Sequence, residues 1–247
     1  GGGQAPGQGA GGRGGGGDQD VGSAEADAGG ARSESDAAQR RYNIVADRLF
    51  AAITGGLQAQ IDAAQGRDAK QALIDAWKAE NPERYAELKK MREGVLKAAG
   101  YKIRVYHGTA DSFNAFDLNH PNRKDTGWLG TGVYVTDNRG IAESYSRLKG
   151  GNNERVIDLY AKLDNPFVAT TSDKRRLQSV SSAEGPEAGR MAADEWTRKL
   201  KSKGYDGVML RYDASTEYVV FDPAGVKQSE PLSLDDSGRL IPPSQWA

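Results

Sequence analysis

The sequence predicts an α+β fold, in which a helical segment precedes a compact domain of curved, mainly antiparallel strands with flanking helices. Two observations carry this. From about Ala38 to Gly100 the apolar residues recur at helical spacing, and from Tyr101 onward they fall into short β-rich runs separated by turn residues. A third bounds the folded part: the first thirty residues hold 14 of the 32 glycines, with one valine and no leucine, isoleucine or aromatic residue. Such a segment has little apolar area to offset the entropy of ordering it, so residues 1–38 are expected to be a disordered, Gly-rich tether. The absence of an initiator Met suggests a piece of a longer polypeptide.

The helical lead-in, residues 39–100, reads as three helices: one through Val45, Leu49 and Ile53, one through Leu73 and Trp77, and one through Tyr85, Leu88, Met91 and Val95. Asn81 is the expected N-cap of the last, Pro82 its first helical residue and Gly100 its end. Nothing in this segment forms a catalytic constellation. The change of pattern at Tyr101 marks a domain boundary, giving a domain over 101–228 and a C-terminal tail over 229–247.

Within that domain strands are expected at Ile103 to Tyr106, Val133 to Val135, Val156 to Leu163, Gly207 to Arg211 and Glu217 to Phe221. Ile157, Leu159, Ala161 and Leu163 alternate with Asp158, Tyr160 and Lys162, the pattern of a strand with one buried face. Helices are expected at Asn138 to Leu148, capped by Asp137, and from about Glu187 to Lys203, closed by Gly204. The order is neither a repeating βαβ nor a pure meander, which leaves the α+β class.

Composition removes several classes of function. With no cysteine the chain has neither disulfides nor thiolate metal sites, and no metal is expected. A net charge of −1 supplies no global field for nucleic acid. The local run Lys174-Arg175-Arg176 reads as a solvated loop, although it can contact phosphates. No stretch of eighteen apolar residues exists to cross a membrane, and no membrane partner is expected.

Three segments carry chemistry. Tyr106-His107-Gly108-Thr109 places a histidine and a hydroxyl around a glycine at a strand end, where backbone can approach a ligand closely. In Gly130-Thr131-Gly132-Val133-Tyr134, followed by Ala142-Glu143-Ser144-Tyr145, the glycines fit no common phosphate-loop pattern, but Tyr134 and Tyr145 can face each other across a slot and hold a flat ring. Glu217-Tyr218-Val219-Val220-Phe221-Asp222 opens an apolar strand with a carboxylate. Each alone has an ordinary reading, as a surface histidine, core tyrosines or a solvated strand end.

Together, in this order and at these spacings, they resemble the H-Y-E ADP-ribosyltransferases, the diphtheria-toxin-like and poly(ADP-ribose)-polymerase-like branch. The wording is similar to transferase domains of phage and mobile-element polyvalent proteins and polymorphic toxins, including Gly204-Tyr205-Asp206-Gly207-Val208 and the tail from Val226 to Trp246. The resemblance implies a split antiparallel sheet and NAD⁺ as substrate, without a metal. It makes Glu217, His107 and Tyr134 catalytic, with Glu217 bonding the nicotinamide-ribose 2′-hydroxyl and stabilising positive charge as the glycosidic bond breaks. His107 would bond the adenosine ribose and Gly108 the nicotinamide amide through its backbone, with Thr109 adding a hydroxyl contact. Tyr134 and Tyr145 would sandwich the nicotinamide ring.

The implied activity is mono-ADP-ribosyl transfer to a macromolecular acceptor, protein or RNA or DNA, by a toxin or phage effector domain. It would act in the cytoplasm of a target or host cell, with an immunity protein as a further partner. Ser215 stands two residues before Glu217, where arginine-modifying relatives carry Glu or Gln, which disfavours arginine as acceptor. The alternatives are an NAD⁺ glycohydrolase and a non-catalytic interaction module.

Overall fold

The computed structural model describes residues 22–111, 113, 115–120, 127–148 and 154–247, with side chains described from residue 36 onward. The first part of the expected tether, residues 1–21, lies outside the described residues. Residues 22–38, expected in the same tether, instead begin helix α1 (Gly22–Thr54). Ala24, Ala26, Ala28 and Ala31 intersperse the glycines there, and alanine is the strongest helix former. The chain divides into two units, Gly1–Val45 and Ala46–Ala247, and the residues discussed below belong to the second.

In that second unit the end of α1 is followed by α2 (Leu57–Ala63), α3 (Arg67–Glu80) and α4 (Pro82–Ala98). Four helical segments thus stand where three were expected, because Gly55 and Gly66 take left-handed backbone angles, φ +50° and +81°, and break the chain between them. Pro82 opens α4 and Asn81 stands at its N-cap as expected, its carbonyl accepting from Tyr85 N at 2.9 Å, but the Asn81 side chain makes no cap bond. At a φ/ψ of −128°/55°, its Nδ2 instead donates to Trp77 O at 3.0 Å, closing α3.

One core forms among these helices. Phe50, Ile53, Leu57, Ile61, Ile74, Trp77 and Leu88 pack with Leu232, Leu234, Leu240 and Trp246 from the end of the chain. Trp246 is the keystone: 1 % exposed, edge-on to Phe50 at 5.7 Å, beneath the Arg92 guanidinium at 5.1 Å, with Nε1 donating to Ile241 O at 2.9 Å. The residues after 229 are therefore integral to the helical core.

The strands are β1 (Ile103–Thr109), β2 (Val133–Thr136), β3 (Arg155–Ala161), β4 (Pro166–Val168), β5 (Gly207–Arg211), β6 (Thr216–Val220) and β7 (Val226–Gln228). Between them lie α5 (Arg139–Leu148) after β2, and α6 (Thr171–Glu184) and α7 (Pro186–Lys201) after β4. Among the described residues they form one sheet in the order β4-β5-β6-β2-β1-β3-β7, antiparallel except for the β4–β5 pair. β1 pairs with β3 over its whole length but with β2 at a single register position, Tyr106↔Thr136. β1 and β2 thus form the thinnest seam of the sheet, and the architecture is α+β, the class expected.

Alternation along the strands feeds two further cores. Val208, Leu210 and Val219 pack beneath α6 and α7 with Leu177, Trp196 and Leu200, whereas Val105, Val133, Val135, Leu159, Tyr218 and Val220 meet on the other face. Two strands and one helix come in addition to those expected. β4 and β7 are three residues each, too short for a periodic signal, and are held by their pairing with β5 and β3. The Lys174-Arg175-Arg176 run lies in α6, not in a loop.

Candidate active site

β6 opens with Thr216 and Glu217, and its register sets Glu217 opposite Thr136 on β2 and Leu210 on β5. Tyr134 lies opposite Val219. Glu217, Val219 and Tyr134 therefore share the face covered by α6 and α7, with Val219 fully buried and Glu217 nearer the rim, its side chain 14 % exposed. The rim is pinned by Asp137, whose Oδ1 accepts from Thr216 N at 2.7 Å while its own N–H donates to Thr216 O at 3.2 Å. Asp137 is thus not the cap of α5. Asn138 takes that place, its Oδ1 accepting from Ile141 N at 3.2 Å.

Among the described residues, three donors converge on the Glu217 carboxylate. Lys174 Nζ approaches Oε2 at 2.6 Å and Tyr212 donates its hydroxyl to the same oxygen at 2.9 Å. Tyr145, reaching from α5, donates to Oε1 at 3.2 Å. Lys174 also donates to the Tyr212 hydroxyl at 2.8 Å, closing a triangle around Oε2.

The electrostatics follow from this geometry. Burial alone lowers the Lys174 pKa, but its hydrogen bonds to Glu217 and Tyr212 and the Glu217 charge outweigh burial and raise it above the ordinary lysine value. Burial raises the Tyr145 and Tyr212 phenols, and the Glu217 charge raises them further. All three donors thus keep their protons at neutral pH.

His107 Nδ1 stands 2.7 Å from the Tyr134 carbonyl oxygen. That oxygen can only accept, so Nδ1 carries a proton. Phe116 and Phe113 meet the imidazole edge-on at 5.0 and 6.1 Å. This bond joins β1 to β2 where strand pairing thins. The Tyr134 hydroxyl donates to Gly130 O at 2.6 Å and accepts from Leu129 N at 2.9 Å, locking the half-buried ring against the turn before β2.

Gly108 has a second reason to be glycine: a Cβ there would lie 1.7 Å from Ala142 O, so α5 packs directly on its backbone. That packing carries Tyr145, one turn further on, toward Glu217. Thr109 is buried, and its Oγ1 accepts from Asp111 N at 3.0 Å within its own turn.

The structure therefore joins the site residues in two pairs, His107 on β1 with Tyr134 on β2, and Tyr145 on α5 with Glu217 on β6. Sequence reasoning missed Lys174 and Tyr212. One signal for Lys174 was present: Thr170-x-x-Asp173 is a capping box, with Thr170 Oγ1 accepting from Asp173 N at 3.2 Å and Asp173 Oδ2 accepting from Thr170 N at 2.8 Å, and it starts a helix immediately before Lys174. Beside this cluster the Arg211–Thr216 hairpin, Tyr106 and the Asp137–Gly140 turn line an open groove of about 760 Å³. The Gly204-Tyr205-Asp206-Gly207 motif is structural, since Asp206 Oδ2 accepts from Asp164 N and Asn165 N at 2.5 and 3.0 Å.

Residues 97–230, just over half of the chain, match the family model described as ADP-ribosyltransferase in polyvalent proteins. No curated protein matches the chain. Among the described residues no helix is long and apolar enough to cross a membrane.

Proposed function

The chain belongs to the ADP-ribosyltransferases of polyvalent proteins, whose substrate is NAD⁺, and on that premise we propose that it is a mono-ADP-ribosyltransferase acting on a macromolecule. The carrying observation is the Glu217 carboxylate, held at a strand rim with the Tyr145 ring hydrogen-bonded to it. A flat nicotinamide ring stacked on Tyr145 would bring its glycosidic bond beside Glu217, where the carboxylate accepts a hydrogen bond from the ribose 2′-hydroxyl.

As the C1′–N bond breaks, its electron pair leaves with neutral nicotinamide and positive charge develops on the ribose. A fixed anion beside that charge stabilises the transition state more than the ground state. The acceptor's nucleophilic atom then bonds to C1′ and loses its proton. Tyr134, His107 and the Gly108 backbone keep the roles their motifs suggest, as the second face of the ring slot, the adenosine-ribose contact and the amide contact. Thr109 would act only through the turn it stabilises.

The groove beside Tyr212 and Thr216 has the size of a small-molecule site and suits an acceptor side chain or base. Its hairpin carries Ser215, not the acidic or amide residue of arginine modifiers. The reading extends to an effector or toxin domain working in the cytoplasm of a host or target cell.

The test is to incubate the full chain and Glu217→Gln with NAD⁺ labelled on the adenylate and a lysate containing protein and RNA. Nicotinamide release with label on a macromolecule, lost in the variant, supports transfer, and protease or nuclease sensitivity of the label identifies the acceptor class. Release without label points to water as acceptor. No release from folded wild type refutes the enzyme.

A further inference from the structure

Lys174 lies outside every motif that suggested the function, yet it makes the shortest bond to Glu217. We propose that Lys174, assisted by Tyr212, is a positioning residue that anchors Oε2 of Glu217 and so presents Oε1 to the ribose 2′-hydroxyl. The inference rests on the transferase reading above.

The two carboxylate oxygens are not equivalent. Oε2 carries bonds of 2.6 and 2.9 Å from Lys174 and Tyr212, which also bond each other at 2.8 Å. Oε1 carries the longer 3.2 Å bond from Tyr145, the ring expected against the nicotinamide. A substrate hydroxyl arriving on the Tyr145 side thus meets the less committed oxygen of a carboxylate whose rotation is blocked from behind.

Lys174 is itself held from several directions. The capping box at Thr170 and Asp173 starts its helix, Ala169 N donates to Met209 O at 2.9 Å to fix that start against β5, and Leu177, one turn on, is buried beneath the sheet. Tyr212 directly follows β5, where its N–H donates to Ser215 O at 2.8 Å inside the hairpin leading to Glu217. Among the described residues, the charged and titratable side chains bonded to Glu217 are Lys174, Tyr212 and Tyr145.

Electrostatics and positioning oppose each other here, which makes the sign informative. A cation beside Glu217 repels the positive charge developing on the ribose, so removing it for charge reasons alone would speed bond breaking. Removing an anchor slows it, because a small misplacement of a reacting group costs up to about a hundredfold.

Nicotinamide release by the full chain is therefore measured for wild type, Lys174→Met, Lys174→Arg, Tyr212→Phe, Glu217→Gln and the Lys174→Met/Glu217→Gln double variant, with melting curves for each. The inference expects Lys174→Met to lower kcat about tenfold to a hundredfold with KM changed less than about threefold, and Tyr212→Phe to act in the same direction but less. Lys174→Arg should recover most of the rate, and Lys174→Met should cost nothing further once Glu217 is already Gln. An active wild type with kcat unchanged or raised in both Lys174→Met and Tyr212→Phe overturns the inference alone. A further loss on adding Lys174→Met to Glu217→Gln overturns it too. If Lys174→Met does not fold, Tyr212→Phe decides. An inactive wild type, or Glu217→Gln as fast as wild type, overturns the transferase reading underneath.

Discussion

Glu217→Gln tests the chemistry most directly, because it removes one charge and keeps the shape. A unit charge pair about 4 Å apart at an effective dielectric near 20 interacts by roughly 4 kcal/mol. The ribose charge in the transition state is partial, so about 2 to 4 kcal/mol is the working range. Lys174, 2.6 Å from Oε2 on the side away from Tyr145, repels the same centre, but it is present in both proteins and cancels from the difference.

At about 1.4 kcal/mol per factor of ten, that range is an expected loss in kcat of about 30-fold to 700-fold, with NAD⁺ affinity changed far less. The assay is single-turnover nicotinamide release at saturating NAD⁺, with affinity measured separately by calorimetry. A loss below about threefold, or one carried wholly by weakened NAD⁺ binding, would refute electrostatic stabilisation by Glu217.

Three further outcomes follow from the structure. Gly108→Ala puts a methyl into the Ala142 carbonyl, so α5 must move and carry Tyr145 away from Glu217; loss of activity with a lowered melting temperature is expected, and a fully active, equally stable variant would contradict the packing. Trp246→Ala opens the helical core around Phe50 and Arg92 and should cost about 3 to 5 kcal/mol in urea unfolding. A cost under about 1 kcal/mol would show that the tail is not integral to that core. The pKa values of Lys174, Tyr145 and Tyr212 are all raised, so each group holds its proton to a higher pH than usual, and its bond to Glu217 is lost only as pH rises through that raised value. The alkaline limb of kcat should therefore lie above about pH 10, and a midpoint below about 9 in a protein still folded there would show that other groups control the site.

Much of the domain was legible because its signals are local. The alternation from Ile157 to Ala161 became β3, the helical spacing from Tyr85 to Val95 became α4, and Gly207 to Arg211 became β5 with the bounds expected. Less legible were features whose cause is remote in sequence. β4 and β7 exist through their neighbours, and Asp137 caps nothing because Thr216, far along the chain, claims its carboxylate. The tail's leucines and Trp246 have no periodicity to announce that they close the core begun at Phe50.

The site divides in the same way. The sequence by itself determined which residue types stand on the strands, His107 on β1, Tyr134 on β2 and Glu217 on β6, because a motif is a short run of neighbours. Only the tertiary structure decided that Lys174 and Tyr212 complete the carboxylate's surroundings and that Tyr145 reaches its other oxygen. A hydrogen bond of about 3 Å depends on where two helices and a hairpin come to rest on the sheet, and that is set by the packing of Leu177, Trp196 and Gly108, not by any pattern around Glu217 itself.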